Sequence, residues 1–379
     1  MKARSEMVTP FSAPQPGLRI KKGGPPIQMP TQEEAASFEE EAASMIEGIR
    51  AAQAAAAPRR LDWVGGRHFV VAGGTGSGFG GCLAQAVLDR IGAAGSLTVV
   101  SRDPSRSVAY ESGILMSRRA ERDGLGARFQ WVNYGLAAEG RKFDRILAAL
   151  RAAGADRVVY VNAVAAAHSG LLPGLPPVYV KDIDEEGLFQ WELLPLDERA
   201  IEATRVPMGE LAVSFPRALA RAGVGVDAAV FLDWRGSLDR ASRDPSNREY
   251  GRQGPYSTSL YIPKEIIRAE TAASIGRGGA VLDIFLPVMR TRALGLIPGG
   301  ALMPRLFDAL MAREGVRRVD APELALAALE TAGRALGKES FNPFPRLDLH
   351  EAALDLWFVE LLARLDDDPE SEYYFRRWT

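Results

Sequence analysis

A doubly wound α/β fold, a parallel sheet covered by helices on both faces, is the fold class that three features of the 379-residue chain predict. Six short apolar runs follow one another from residue 68: HFVVAG (68–73), SLTVVS (96–101), ARFQWVN (127–133), RVVYVNA (157–163), DAAVFLDW (227–234) and AVLDIFL (280–286). They are apolar throughout rather than alternating, as strands buried on both faces must be. Segments with helical periodicity, such as 82–91 and 142–152, separate the first four, and strand–helix alternation builds a parallel sheet.

Each element has its own reason. Residues 1–30, rich in Pro, Gly and Lys and without periodicity, read as an extended arm. Thr31 and Glu34 form a capping-box pattern ahead of an Ala/Glu-rich run that should be helical to about Ala57, as a surface helix or an oligomer contact. The remainder, 58–379, reads as one Rossmann-like domain with an insertion near 173–210 and a helical C-terminal extension. Within the insertion, VYVKDIDEEGLFQWELLP (178–195) is patterned as two short strands around an Asp-Glu-Glu-Gly turn, expected to lie over the active-site side. The stretch TRALGLIPGGALMPRLFDALMAREG (291–315) is amphipathic, and next to the sheet's carboxyl edge it should wall a pocket.

Composition removes several classes of function. A net charge of -2 argues against a general binder of nucleic acid or membrane surface. The single cysteine, Cys82, excludes an intramolecular disulfide and a multi-cysteine metal site. No apolar run is long enough to span a bilayer and the N-terminus lacks a signal-like apolar segment, so a cytoplasmic protein is expected. No His/Cys/Asp/Glu spacing suggests a metal and no Gly-x-Ser-x-Gly elbow suggests a hydrolase. His168, in an Ala-rich loop after the fourth strand, reads as a plain loop residue.

The first strand runs into Gly74-Thr75-Gly76-Ser77-Gly78-Phe79-Gly80, then into a helix starting near Gly81. Glycines there let the backbone turn sharply and approach a pyrophosphate seated on the helix N-terminus. The spacing of Gly74, Gly78 and Gly80 is the short-chain-dehydrogenase form of the dinucleotide loop. At the end of the second strand stand Ser101 and Arg102, followed by Asp103. A guanidinium suits a 2′-phosphate, which favours NADPH, with NADH possible if Asp103 takes the ribose instead. Asn133 is expected near the adenine, and Asn162 and Ala163 alongside the cofactor.

Reduction of a polarised double bond needs a proton source and a partner for the developing oxyanion. Tyr256, Tyr261 and Lys264 supply the groups: a tyrosine hydroxyl and a lysine that lowers its pKa and binds the ribose. Pro263 suits a first helical turn, so Lys264 is expected to open a helix, with Tyr256 in the loop before it and Tyr261 the rival donor.

The order of these features resembles the trans-2-enoyl-CoA and enoyl-acyl-carrier-protein reductases of the FabV type, a divergent branch of the short-chain dehydrogenases. The resemblance runs from about 66 to 315 and rests on the Gly74–Gly80 loop, Val159-Tyr160, the segment 195–204 with Met208-Gly209, and Thr291 followed by Ile297-Pro298. It implies reduction of the carbon–carbon double bond of an acyl thioester on CoA or a carrier protein, by a monomer or small homo-oligomer. It also implies that Thr291 lies near the nicotinamide and Ile297 near the acyl chain. The chain departs from the family in three places. Tyr256 and Lys264 enclose seven residues instead of eight; Trp234 stands where a second tyrosine is expected; and a polar insertion fills 240–255. Trp234 would line the substrate site but carries no acidic hydroxyl. That leaves room for two other readings, a carbonyl reductase or alcohol dehydrogenase on the same scaffold and, less favoured, a non-catalytic NADP(H)-binding subunit.

Overall fold

The computed structural model describes residues 31–76, 78–101, 107–133, 143–164, 177–183, 189–195, 209–233, 257–275, 278–286, 302–317 and 319–339. For 177–183, 189–195, 257–265 and 302–307 it describes the course of the backbone.

All six apolar runs are strands: β1 His68–Ala72, β2 Ser96–Ser101, β3 Phe129–Asn133, β4 Arg157–Asn162, β7 Gly225–Asp233 and β8 Ala280–Phe285. They form one parallel sheet in the order β3-β2-β1-β4-β7-β8. The insertion is the antiparallel hairpin β5 (Pro177–Ile183) and β6 (Phe189–Pro195), a separate two-stranded sheet in which Val180 faces Glu192. The Asp-Glu-Glu-Gly turn lies outside the described residues.

The helices are α1 Gln32–Ala55, α2 Phe79–Leu88, α3 Val108–Arg122, α4 Asp144–Ala152, α5 Phe215–Arg221, α6 Ser257–Ile275, α7 Leu302–Arg313 and α8 Ala321–Leu336, with a π-turn at Glu210–Ser214 leading into α5. Strand parity divides the core in two. Phe69, Val71, Leu97, Val99, Val159, Val161 and Ile284 point to the face covered by α2, α3 and α8. Val70, Val100, Val158, Tyr160, Ala229 and Phe231 point to the other face, against α4, α5 and α6. At about 25 cal/mol per Å² of apolar surface, burying both faces is the dominant favourable term in folding.

The capping box at the start of α1 is present in both directions: Glu34 N–H donates to Thr31 Oγ1 at 3.2 Å, and Thr31 N–H donates to Glu34 Oε2 at 2.8 Å. The inner stripe of α1 is Ala42, Ile46, Ile49 and Gln53. Gln53 is buried, and its Nε2 donates to the Cys82 carbonyl at 2.8 Å, tying α1 to α2. Among the described residues no helix is long and apolar enough to cross a membrane.

Two expectations are corrected. Helix α2 opens at Phe79, with Gly78 as its N-cap, two residues ahead of Gly81. Helix α6 opens at Ser257, so Pro263 and Lys264 lie inside it. The Ser-Thr-Ser run at 257–259, residue types that favour helix starts, begins the helix a turn and a half before the proline.

Candidate functional site

The strand order makes one position in the sheet special. The chain leaves β1 toward β2 and leaves β4 toward β7, so the connections diverge between β1 and β4. In open α/β sheets a crevice forms outside the carboxyl ends of the strands at such a switch point. The residues at that edge are Ala72, Ser101, Asn133, Asn162, Asp233 and Phe285.

The glycine loop after β1 fills one side of this point, and its glycines answer to different demands. Gly73 and Gly76 have φ of 81° and 86°, left-handed conformations that favour glycine. A Cβ on Gly74 would lie 3.0 Å from Val71 Cγ1 and from Val99 Cγ1. One on Gly80 would lie 2.2 Å from the Gly73 oxygen and 2.9 Å from Ala163 Cβ, and one on Gly81 would lie 2.0 Å from the Gly76 oxygen. These five are required by the chain's own path. Gly78 is different: its φ of -75° and ψ of 175° suit any residue, and a Cβ there would meet nothing within 4 Å among the described residues. It is the N-cap of α2 and gives that helix no side-chain cap, so the first amides are left to other acceptors. A glycine that none of the described residues requires, at an uncapped helix N-terminus, fits a pyrophosphate lying against the backbone. Residues of this loop therefore fit a dinucleotide; the half-buried Thr75 completes the described part, and Ser77 lies outside it.

Across the switch point, Ala163 N–H donates to the Ala72 carbonyl at 2.9 Å, closing β4 against β1. Asn162 is buried, and its Oδ1 accepts from Val164 N–H at 3.2 Å, which turns the chain away from the sheet. Ala163 thus packs directly on the glycine loop, at Gly73 and Gly80.

Ser101 is buried, and its Oγ accepts from Trp131 Nε1 at 3.0 Å. Trp131 in turn meets Tyr110 edge-on, with ring centroids 5.0 Å apart. The serine hydroxyl is thus engaged in the sheet, which sequence reasoning, treating it as a cofactor group, did not foresee. Asn133 ends β3 opposite Ser101. Helix α3 is closed by Ser107, whose Oγ accepts from Tyr110 N–H at 3.3 Å.

On the other side of the switch point lies α6. Its buried positions are Ile267, Arg268 and Thr271, while Ile266, Ala269, Ala272 and Ala273 are exposed. Projected back at 3.6 residues per turn, the sheet-facing stripe passes through position 264 and has position 261 at its margin. Two contacts fix the level of the helix along β8. Arg268 Nη1 lies 3.0 Å from Asp283 Oδ2, and Ile275 packs where a Cβ on Gly279 would be 3.1 Å from its Cδ1. The helix therefore runs antiparallel to the strand. Position 264 is about 6 Å from 268 along the helix, and Phe285 is about 6.6 Å beyond Asp283 along the strand, so Lys264 stands level with the carboxyl edge. Counted from the Gly279 contact, Lys264 is level with about Ile284, within one residue of the first count. Tyr261 stands about 4 Å beyond Lys264 and Ser257 about 10 Å beyond it. Among the expected site residues, Tyr256, Ser77, Arg102, Thr291, Trp234 and Ile297 lie outside the described residues, as does His168.

No family model matches this chain, and no curated protein matches it. Solved structures do. A trans-2-enoyl-CoA reductase from Clostridium acetobutylicum, in complex with NADH, aligns over 93% of this chain and 88% of its own, with a TM-score of 0.53 and 16% identity. The trans-2-enoyl-CoA reductase of Treponema denticola, in complex with NAD, aligns over 93% and 89%, with a TM-score of 0.52 and 14% identity. The six-stranded parallel sheet and its flanking helices have the Rossmann-like fold of these proteins.

Proposed function

We propose that this protein is a nicotinamide-dependent oxidoreductase that reduces the carbon–carbon double bond of an α,β-unsaturated acyl thioester. The observation that carries the reading is the open Gly78 at the uncapped start of α2, at the same carboxyl edge with which Lys264 of α6 stands level. The likeness in fold to two trans-2-enoyl-CoA reductases, solved with NADH and NAD, supports the choice of reaction. So does the order of sequence features that resembles that family.

When bound, a dinucleotide held by the glycine loop and Lys264 would supply the hydride for the β-carbon of the substrate, and the α-carbon would take its proton from the tyrosine hydroxyl or from water. Charge then develops on the thioester oxygen, where a hydrogen-bond donor does its work. Tyr261 is proposed for this role, because one helical turn separates it from Lys264, with Tyr256 the alternative donor. Lys264 holds the ribose hydroxyls and, as a nearby cation, lowers the tyrosine pKa. NADPH is the proposed cofactor: the connection between β2 and α3 carries Arg102 and Arg106, and guanidinium groups match a 2′-phosphate. The substrate is carried on CoA or on a carrier protein.

Trp234 favours a second reading, a carbonyl reductase on the same scaffold, because the indole removes one acidic hydroxyl from the family pattern. Oxidation of NADPH and NADH by the purified protein with a trans-2-enoyl-CoA, beside the matching β-ketoacyl-CoA, decides between them. Turnover of the enoyl thioester alone is expected, lost in Lys264→Ala and reduced about a hundredfold in Tyr261→Phe. Turnover of the ketone alone selects the second reading. No oxidation with either, despite tight NADPH binding, refutes both.

A further inference from the structure

We propose that Arg268 and Asp283 are positioning residues, an ion pair that fixes how far α6 extends over the carboxyl edge and thereby where Lys264 and Tyr261 stand; the inference rests on the reading of those two residues given above. The Arg268 side chain is 9% exposed and that of Asp283 24%, with Nη1 and Oδ2 3.0 Å apart. Asp283 is a carboxylate in the middle of β8, in register with Phe231 of β7, on a sheet face otherwise covered by apolar side chains such as Ile267. Sequestered ion pairs are poor stabilisers, since apolar residues of similar size often serve as well. What a charge-assisted hydrogen bond adds is direction and length.

Among the described residues, the apolar contacts of α6 with the sheet lack that property. Ile267 and Ile275 pack α6 against the sheet through non-directional apolar surface, which resists separation far better than sliding. The hydroxyl of Thr271 lies 2.9 Å from the carbonyl of Ala212 and 2.7 Å from that of Ile267. It ties α6 to the π-turn beside it, not to a strand. Arg268 thus supplies the polar bond from α6 to a strand. It lies one turn from Lys264 on the same stripe, so any shift at 268 is passed directly to 264. A slide of a single residue is about 1.5 Å, and misplacement of about 1 Å costs on the order of a hundredfold in rate.

The test uses the full-length protein and three variants: Arg268→Lys, Arg268→Met, and the double variant Arg268→Met/Asp283→Leu, which replaces the pair by apolar groups. The wild type is assayed first. If it reduces the enoyl thioester, the double variant is expected to melt within a few degrees of wild type, keep its substrate KM, and lose kcat about fiftyfold. Arg268→Lys, which preserves the charge pair, should recover kcat to within about fivefold of wild type. A double variant with wild-type kcat overturns the proposal and leaves the pair a packing feature; so does an Arg268→Lys enzyme as slow as the double variant. Should Arg268→Met or the double variant fail to fold, the Arg268→Lys protein carries the test: a loss of kcat beyond fivefold then overturns the proposal, and a smaller one supports it. If the wild type does not turn over any enoyl thioester, the functional reading fails by itself. The pair is then judged on NADPH affinity, because Lys264 contacts the ribose. A Kd about tenfold weaker in the double variant at unchanged melting temperature supports positioning, and an unchanged Kd overturns it.

Discussion

Gly78→Ala separates cofactor binding from folding more cleanly than any other change in the loop. The added methyl meets none of the described residues within 4 Å, and φ of -75° with ψ of 175° is allowed for alanine. Two small stability effects oppose one another. Restricting the unfolded chain stabilises by about 0.4–1 kcal/mol, while alanine is a poorer N-cap than glycine by a comparable amount. The net is about zero, and the melting temperature should move by no more than about 2 °C. Binding is another matter, since a methyl at the helix start prevents a pyrophosphate from resting on the first amides. Losing one or two charge-assisted hydrogen bonds at about 1.5–3 kcal/mol each weakens NADPH by roughly tenfold to ten-thousandfold. Gly80→Ala is the contrast: its methyl would lie 2.2 Å from the Gly73 oxygen, a backbone atom, so folding itself should suffer. Fluorescence titration with NADPH and NADH beside a melting curve measures both quantities on each variant. A Gly78→Ala protein that binds both dinucleotides with wild-type affinity would refute the assignment of the open cradle to a pyrophosphate.

The remaining predictions concern single groups. Burial pushes the Cys82 thiol up to about 12, so iodoacetamide at mildly alkaline pH should leave it unlabelled until the protein unfolds; rapid labelling of the native state would contradict its packing under α1. Burial is the first cause that lowers the pKa of His68; Asp156 opposes it and Arg128 adds to it. His68 Nδ1 lies 2.8 Å from Ser96 Oγ. The unfolded chain therefore binds a proton more readily, so the contribution of His68 is present above about 6.5 and is lost as the pH falls toward its lowered value. His68→Gln should flatten that arm of a urea-unfolding series, and an unchanged slope would sink the assignment. Pro263 lies inside α6, where it denies the Ser259 carbonyl its helical donor. Pro263→Ala should therefore stabilise the protein by up to about 3 kcal/mol in urea unfolding, whereas a proline in a first turn would give almost no change.

The glycine loop and the strand sequence were legible because each depends on local demands. The run GGTGSGFGG (73–81) announces a backbone that must turn twice and pack closely, and the start of α2 was misread by two residues because glycine is a poor helix former. The register that buries Ser101 under Trp131 was not legible. It appears only once β2 and β3 are paired, with Val99 beside Trp131 and Ser101 beside Asn133. By composition alone a serine before an arginine at a strand end looks like part of a 2′-phosphate site, with no sign of the bond to Trp131. The level of Lys264 was hidden for the same reason, since Arg268 and Asp283 are fifteen positions apart and nothing nearby in sequence links them.

The two halves of the crevice are therefore under different constraints. At the dinucleotide end, five of the six glycines are demanded by the path of the chain from β1 into α2. Any sequence with this connection meets the same steric limits, which is why the loop stands out where identity to solved reductases is 16% or less. At the other end no such limit applies. Strand packing requires only that the stripe of α6 be accommodated, and it would accept apolar residues at 268 and 283. A charged pair there suits alignment better than cohesion, and alignment is what the proposed tyrosine and lysine, one turn apart, would need to act on a single oxygen. On the proposed function, cofactor recognition would rest on the backbone, and the reaction on how one helix is held against one strand.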